Sequence, residues 1–237
     1  MDYKCFVSHA TPDKVKFLPA YTLASAARLI DSNPSTLRVW FRGRPPYQST
    51  ARYQRAVKSV LPLQAGTGEP LSFIDIVLAH VLHLIRHQYK IPLKKVRLAT
   101  DYIKKTKGDL LFLASKDFSV DHRDLFLELG PHLISLSESG QVVDKEIISR
   151  GLKQLTYGSD RYAGQFFPTM NGRLQRDFAI NPAINFGRLS IARLGVDTNA
   201  LAARFVAGEK IIDIAQDYDA TADEVEDAIR WHERLAA

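Results

Sequence analysis

Residues 21–44 read YTLASAARLIDSNPSTLRVWFRGR, and this stretch predicts two short helices joined by a tight turn. Thr22 is suited to cap the first helix, because its hydroxyl oxygen can accept a backbone amide hydrogen. Apolar residues follow at helical spacing until Asn33 and Pro34, where Asn bonds its own backbone and Pro starts a new helical turn. The second helix repeats the apolar spacing and leaves three cations to project outward: Arg38, Arg42 and Arg44.

These parts are the ones that a helix-turn-helix needs: a packed scaffold helix, a sharp turn, and a second helix with short polar residues and cations at its tip. The stretch TLASAARLIDSNPSTLRVWFRGR resembles the start of a MerR-type winged helix-turn-helix, and IPLKKVRLATDYI resembles the helix after its wing. The resemblance covers about the first hundred residues and implies operator DNA as a partner. The alternative is a pair of core helices with surface arginines. The predicted DNA-binding residues are Ser35, Thr36, Arg38, Trp40, Arg42, Arg44, Arg52 and Arg55.

Composition limits the class of protein. The chain has 237 residues, 46% of them hydrophobic and 24% charged, which are values of a globular protein with a sizeable core. The single cysteine, Cys5, excludes a disulfide framework and a cysteine-rich metal site, and it fits a reducing cytoplasm. No signal peptide is visible, and the most apolar run, residues 74–85, contains Asp75 and two histidines. We therefore expect a cytoplasmic protein with no membrane segment.

Charge is divided unevenly along the chain, whose formal net charge is +6. Residues 22–62 carry seven Lys or Arg against one acid, whereas residues 209–237 carry nine acids against three bases. A phosphate backbone would attract the first stretch and repel the second. Residues 47–63 could form the two strands of a wing whose Arg52 and Arg55 reach phosphate, and a solvated basic loop is the alternative.

A long helix is predicted over residues 70–88, capped by Ser72, and a second one over residues 91–107, ended by Gly108. His80, His83 and His87 recur on the first helix at spacings of three and four, which could bring imidazoles together on a metal. No cysteine or carboxylate pair completes such a site nearby. Packed histidines are the favoured interpretation, so we predict no metal and no cofactor.

The middle of the chain predicts a small α/β region that joins protomers. Residues 124–129 and 132–136 are short β-like runs, residues 141–155 have helical periodicity, and residues 157–167 could pair as strands. The heptads of a MerR dimerisation coiled coil are missing. Residues 4–7 predict a further strand, and residues 173–186 predict an extended linker.

The last fifty residues predict three helices: residues 199–206, residues 211–218, and a helix capped by Thr221. GRLSIARLGV, AARFVAGE and IAQDY in this tail resemble a small family of antitoxin domains that pair with PIN-like ribonuclease toxins in VapBC-type modules. Leu189 replaces the family's proline, and Arg193-Leu194 replaces its Gly-Thr, so the match is closer in the helices than in the loop. The predicted core is Phe205, Ile211, Ile214, Ala215, Tyr218, Val225 and Ile229.

Electrostatics argue against a second DNA-reading helix in this tail, because each phosphate contact needs a cation and the last helix is acidic. An acidic bundle suits a basic protein, and a ribonuclease that holds RNA phosphates is one. Three arginines are candidates to reach the metal-binding carboxylates of such an enzyme, although surface arginines beside a loop are an equal alternative. The predicted partner-binding residues are Arg188, Arg193, Arg204, Asp223, Glu224 and Asp227.

No nucleotide-binding loop, nucleophile elbow or zinc-protease motif occurs in the sequence, which predicts a binding protein and not an enzyme. The predicted fold class is α+β and mainly helical. A winged helix-turn-helix would span residues 1–108, a dimerising α/β region 109–184, and a three-helix domain 185–237. The predicted function is that of an antitoxin that binds operator DNA as a homodimer. The alternative is a MerR-like regulator with a C-terminal ligand-sensing region.

Overall fold

The computed structural model describes residues 12–49, 52–54, 56–63, 70–88, 93–119, 151–170 and 172–236. The helices with both ends described, numbered in chain order, are α1 (Pro12–Val15), α2 (Leu23–Leu29), α3 (Pro34–Arg42), α4 (Phe73–Gln88), α5 (Leu93–Lys107), α6 (Thr198–Val206), α7 (Ile211–Asp217) and α8 (Ala222–Ala236). Two 3-10 helices span Leu110–Ala114 and Asn185–Gly187. The chain is therefore α+β, as predicted, with helices as its larger elements.

The strands are short and antiparallel: β1 (Pro19–Tyr21), β2 (Tyr47–Ser49), β3 (Arg52–Gln54), β4 (Leu71–Ser72), β5 (Leu155–Tyr157), β6 (Ala163–Phe166), β7 (Thr169–Met170), β8 (Arg173–Leu174), β9 (Phe178–Ala179), β10 (Ser190–Ile191) and β11 (Val196–Asp197). Within the described part of the chain, β9, β10 and β11 form a three-stranded sheet with β10 in the centre, and the other strands pair as β1–β4, β2–β3, β5–β6 and β7–β8.

The helix pair α2–α3 forms as predicted, because local side chains determine both helix starts. Thr22 Oγ1 accepts a hydrogen bond from the Ser25 amide at 3.1 Å, and Asn33 Oδ1 accepts one from the Ser35 amide at 2.8 Å. Gly43 ends α3 with φ of 74°, and a Cβ at this position would lie 2.3 Å from the Val57 carbonyl oxygen. Only glycine therefore fits where the chain turns from α3 to the β2–β3 hairpin.

The core of the N-terminal half is built around α4. Ser72 and Asp75 start this helix with reciprocal bonds: the Ser72 amide donates to Asp75 Oδ2 at 2.8 Å, and the Asp75 amide donates to Ser72 Oγ at 3.1 Å. Residues 73–82 are all buried, and the 3-10 helix Leu110–Ala114 packs on the same helix. The predicted helices over residues 70–88 and 91–107 are thus confirmed as α4, which starts at Phe73, and α5, and Gly108 follows α5 with φ of 91°.

The middle region differs from the prediction in its described parts. Most of the helix predicted over residues 141–155 lies outside the described residues, and its last residue belongs instead to β5, which starts at Leu155. The pairing of β5 with β6 confirms the strand pair predicted over residues 157–167. The predicted linker over residues 173–186 is wrong, since it contains β8, β9 and most of a 3-10 helix. The strands predicted at residues 4–7, 124–129 and 132–136 lie outside the described residues.

The C-terminal helices pack on each other and on the N-terminal pair. Helix α8 contacts α6, α7 and α2, and Trp231 on it is fully buried. Arg28 Nη1 donates to the Leu235 carbonyl oxygen at 2.8 Å, and Arg234 Nη2 donates to Asp31 Oδ1 at 2.8 Å. The last helix is therefore held against the first helix of the α2–α3 pair.

The predicted tail core is confirmed with one correction. Ile214, Ala215, Val225 and Ile229 are buried, and Ile211 and Tyr218 are half-buried. Phe205 was expected inside but is 40% exposed, because α6 ends at Val206 and the chain turns away at Gly208 before a core can cover the ring.

Candidate functional site

The outer face of α3 and the residues after it carry most of the predicted DNA-binding residues. Ser35, Arg38, Arg42 and Arg44 are exposed, and Thr36 is half-buried. Arg38 has no hydrogen bond or ion pair with any residue that the structure describes, so its guanidinium is available to a ligand. The face is thus polar and cationic.

Trp40 does not belong to this face. Its side chain is fully buried, the guanidinium of Arg86 stacks 5.8 Å from its ring centre, and its carbonyl oxygen accepts the amides of Val60 and Leu61 at 2.7 and 3.0 Å. The predicted contact between Trp40 and DNA is therefore wrong. The indole ring is a core residue that fixes α3 against the segment after the β2–β3 hairpin.

The β2–β3 hairpin follows α3 and is tied to its end. The amide of Arg44 donates to the Val57 carbonyl oxygen at 2.7 Å, and the amide of Val57 donates to the Arg44 carbonyl oxygen at 2.7 Å. Arg52 pairs with Ser49 in the hairpin register, at the end nearest the connecting loop. Arg55 lies outside the described residues. The strand pair that the wing hypothesis needs is therefore present.

The C-terminal segment of residues 185–237 and the rest of the chain carry opposite net charge. Residues 185–237 contain six Lys or Arg against ten Asp or Glu, a formal charge of −4, whereas the whole chain carries +6. The remaining residues, 1–184, therefore carry +10. Opposite potentials in one chain favour two chemically different partners, one anionic and one cationic.

Two of the predicted partner-binding arginines hold the turns of the C-terminal segment. Arg188 lies 2.9 Å from Asp197 Oδ2. Arg193 donates from Nε and Nη2 to the two carboxylate oxygens of Glu224, at 2.9 and 2.7 Å, and to the Asp219 carbonyl oxygen at 2.8 Å. A partner protein would therefore have to share or break these ion pairs to use either guanidinium.

Arg204 is engaged in the same way. Its guanidinium bonds both Glu209 and Asp217, the latter at 2.6 Å, and lies 5.5 Å from the ring centre of Tyr218. The hydrogen bond from Arg204 lowers the pKa of Glu209, because it stabilises the carboxylate. This cluster fixes the corner between α6 and α7.

The three predicted acids of α8 differ in their surroundings. Asp223 is exposed and makes no ion pair among the described residues, and Asp227 pairs with Arg230 at 2.6 Å on the helix surface. The Glu224 side chain is only 13% exposed, so it is not a free surface acid. It accepts the Thr221 amide at 2.7 Å and closes a capping box, so its first role is structural.

A strained loop was missed by sequence reasoning. Asn185, Phe186 and Gly187 all have left-handed backbone angles, with φ of 49°, 56° and 77°. Phe186 is 61% exposed there, and the preceding Ile184 is 38% exposed. The sequence signal was the Asn-x-Gly pattern, since Asn and Gly tolerate this conformation, but a phenylalanine between them is unusual.

Of the three histidines of α4, His80 packs in the core and His83 is half-buried. His80 is 3% exposed, its Nε2 lies 3.2 Å from the Gly151 carbonyl oxygen, and its ring lies 4.8 Å from that of Phe166. Burial lowers the pKa of His80 to about 4. The side chain of His87 lies outside the described residues. Among the residues that are described, no group of three or more His, Cys, Asp or Glu is placed to hold a metal ion.

A cavity of about 300 Å³ lies between the β5–β6 hairpin and the segment after β9. Lys16, Gln165, Asn181 and Pro182 are among its lining residues. The Lys16 ammonium is buried, and it donates to Asp160 Oδ2 at 2.7 Å. Its charge is therefore neutralised within the chain, and the cavity offers no unpaired cation from this residue.

The helices in the described ranges include none with the length and apolar character needed to cross a bilayer.

The described architecture defines an α+β protein with a basic helix pair at one end of the chain and an acidic helical segment at the other. No family model matches the sequence. The chain is similar to a Mycobacterium tuberculosis protein named "Putative antitoxin VapB45", with 26% identity over 226 residues, covering 90% of this chain and 93% of that protein. It is also similar to the X-ray crystal structure of Rv2018 from Mycobacterium tuberculosis, with a TM-score of 0.67, 24% identity, and coverage of 90% of this chain and 97% of that one. The structural likeness shows that the fold is one already seen in a solved protein.

Proposed function

We propose that this chain is an antitoxin that binds and silences a PIN-like ribonuclease toxin and represses its own operon by binding operator DNA. The observation that carries the proposal is the similarity, along about nine-tenths of both chains, to a protein named as an antitoxin. The separation of positive and negative charge between the two parts of the chain supports two partners of opposite charge.

The DNA-binding part of the proposal rests on α2, α3 and the β2–β3 hairpin. Helix α3 acts as the recognition helix of a winged helix-turn-helix, with the hairpin as its wing. Arg38 and Arg42 reach base edges or phosphates, and Ser35 and Thr36 lie at the helix N-terminus, where groove contacts usually start. Arg52 and Arg55 contact the phosphate backbone from the wing. One helix pair buries little DNA surface, so the chain binds as a homodimer held by the middle region.

The toxin-binding part of the proposal rests on residues 185–237, with α6, α7 and α8 as a three-helix domain. A nuclease that binds RNA phosphates is cationic, and the net charge of −4 in this segment attracts it. Asp223 and Asp227 steer the encounter from the surface of α8. Arg188, Arg193 and Arg204 contact the nuclease with guanidinium groups that their own carboxylate partners already orient.

The cavity beside Lys16 is the feature that favours the alternative, a MerR-like regulator that senses a small ligand. It supports this alternative weakly, because the Lys16 charge is already paired with Asp160. One observation distinguishes the two functions. The gene of an antitoxin is expected to lie beside a reading frame for a small nuclease with an acidic cluster, whereas the gene of a ligand-sensing regulator is not.

Co-expression with the product of that reading frame tests the proposal. We expect the nuclease alone to arrest growth, and the full chain to restore growth and to co-purify with the nuclease. The double reversal Asp223→Lys and Asp227→Lys is the matched variant, because both acids lie on the surface. Growth arrest that the soluble, folded chain fails to relieve would exclude the antitoxin function.

A further inference from the structure

The loop of residues 184–188, here called the Phe186 loop, holds an aromatic ring in water at a conformational cost. Three successive residues have positive φ, and two of them are not glycine. Phe186 contributes little to the core, because 61% of it is exposed. A bulky residue in this backbone region is a genuine outlier. The backbone strain is therefore not offset by packing of the Phe186 ring within the chain itself.

The surroundings impose this conformation. Asn185 Nδ2 donates to the Gly195 carbonyl oxygen at 2.6 Å and to Ser190 Oγ at 3.1 Å. The buried Tyr21 hydroxyl donates to the Gly187 carbonyl oxygen at 2.7 Å, and a Cβ on Gly187 would lie 2.1 Å from that hydroxyl. Strained residues that their surroundings over-determine cluster at binding sites.

We propose that Phe186 is the apolar anchor through which this chain grips its ribonuclease partner, an inference that rests on the function proposed above. A ring carried on a backbone that is already fixed adds little backbone entropy cost on binding and offers a large contact area. Interfaces concentrate their binding energy in a few such residues at their centre. Ile184, which is 38% exposed and lies next to the loop, extends the apolar surface.

Net charge favours the nuclease as the occupant. The Phe186 loop belongs to the segment of residues 185–237, whose net charge is −4. A second copy in a symmetric pairing would bring the same negative segment to the loop, and nucleic acid would bring phosphates, so both would be repelled. A copy that docks with its basic part is distinguished by the oligomeric state measured below. A cationic RNA-binding nuclease would be attracted, and its apolar surface could receive the ring.

The test measures binding and thermal stability of the same full-length variants. Phe186→Gly removes the ring and suits the left-handed backbone. We therefore expect the melting temperature to rise by about 2–4 °C. The dissociation constant for the purified nuclease from the adjacent reading frame, measured by biolayer interferometry with an inactivated enzyme, is expected to rise at least ~30-fold. Leu98→Ala is the control, since Leu98 is 51% exposed on α5, and its affinity is expected to be unchanged.

Asn185→Gly provides a second variant, because it keeps the backbone angle and the ring but removes both amide hydrogen bonds. We expect an intermediate loss of affinity, about 3–10-fold, since the ring is less firmly oriented. A Phe186→Gly chain that is folded and binds the nuclease as tightly as the wild type would overturn the anchor while leaving the antitoxin function intact. A change in its oligomeric state by light scattering, with nuclease affinity unchanged, would assign the loop to a second copy and also overturn it. A wild-type chain that does not bind the nuclease overturns both.

Discussion

Replacing Glu224 with alanine tests whether this acid of α8 is structural. It differs in this from Asp223 and Asp227, which we propose attract the nuclease. The carboxylate accepts hydrogen bonds from the Thr221 amide at 2.7 Å and from two nitrogens of Arg193 at 2.9 and 2.7 Å. Loss of an N-terminal cap costs about 1 kcal/mol, and loss of charge-assisted hydrogen bonds near the surface adds about 1 kcal/mol after screening. We expect Glu224→Ala to lower the free energy of unfolding by about 2 kcal/mol.

The matched control is Asp223→Ala, one residue earlier on the same helix. Asp223 is exposed and unpaired among the described residues, so only its interaction with the helix dipole is lost, at most about 0.5 kcal/mol. Urea titrations followed by circular dichroism measure both variants, with an unchanged denaturant slope as the sign that only stability differs. Equal stability of the two variants would mean that the Glu224 carboxylate is solvated, which would refute the capping role.

The stability contributed by the Glu224–Arg193 ion pair depends on pH in a defined direction. The hydrogen bond from Arg193 lowers the pKa of Glu224, so the folded state favours the carboxylate. Its contribution to stability is present at neutral pH and is lost as the pH falls from the ordinary glutamate pKa toward the lowered one. The difference between wild type and Glu224→Ala is therefore expected to shrink in acid.

Three further predictions concern DNA, pH and association. Arg38→Ala is expected to weaken operator binding by about 1–3 kcal/mol at fixed salt, whereas Arg173→Ala, at an exposed arginine on β8, leaves it unchanged; equal affinities would remove α3 from the interface. Burial lowers the pKa of His80 to about 4, so stability falls by about 2 kcal/mol between pH 7 and pH 5 as the unfolded chain takes up the proton. In His80→Gln the urea midpoint is expected to fall less between pH 7 and pH 5 than in the wild type. A pH profile of stability identical to that of the wild type would contradict the role of His80. The reversals Asp223→Lys and Asp227→Lys are expected to slow nuclease association at low salt without unfolding α8; a wild-type rate would leave these acids as a solvated surface.

The sequence predicted the elements that local chemistry determines. The α2–α3 pair follows from Thr22, Asn33 and Pro34, whose side chains make or permit the caps without help from distant residues. The start of α8 was equally local, since Thr221 and Glu224 have the spacing of a capping box. The same spacing indicates that Glu224 is not a free surface acid, although it was predicted here only as a partner-binding residue.

The errors arose where packing decides the outcome. Trp40 lies on the apolar stripe of α3, and its complete burial depends on Val60 and Leu61, which follow a hairpin. Phe205 continues the stripe of α6, but the helix ends before a neighbour covers it. The Phe186 loop could not be predicted from its Asn-x-Gly pattern alone, because Tyr21, distant in sequence, also holds its conformation.

Titration of the nuclease with the full-length chain tests the proposed function most directly. Cleavage of a labelled RNA by the purified product of the adjacent reading frame is measured while the chain is added at nuclease concentrations above the dissociation constant. We predict that cleavage falls linearly and stops at a fixed molar ratio of chain to nuclease, as for a stoichiometric inhibitor. Undiminished cleavage at a tenfold excess of folded chain would contradict the antitoxin function.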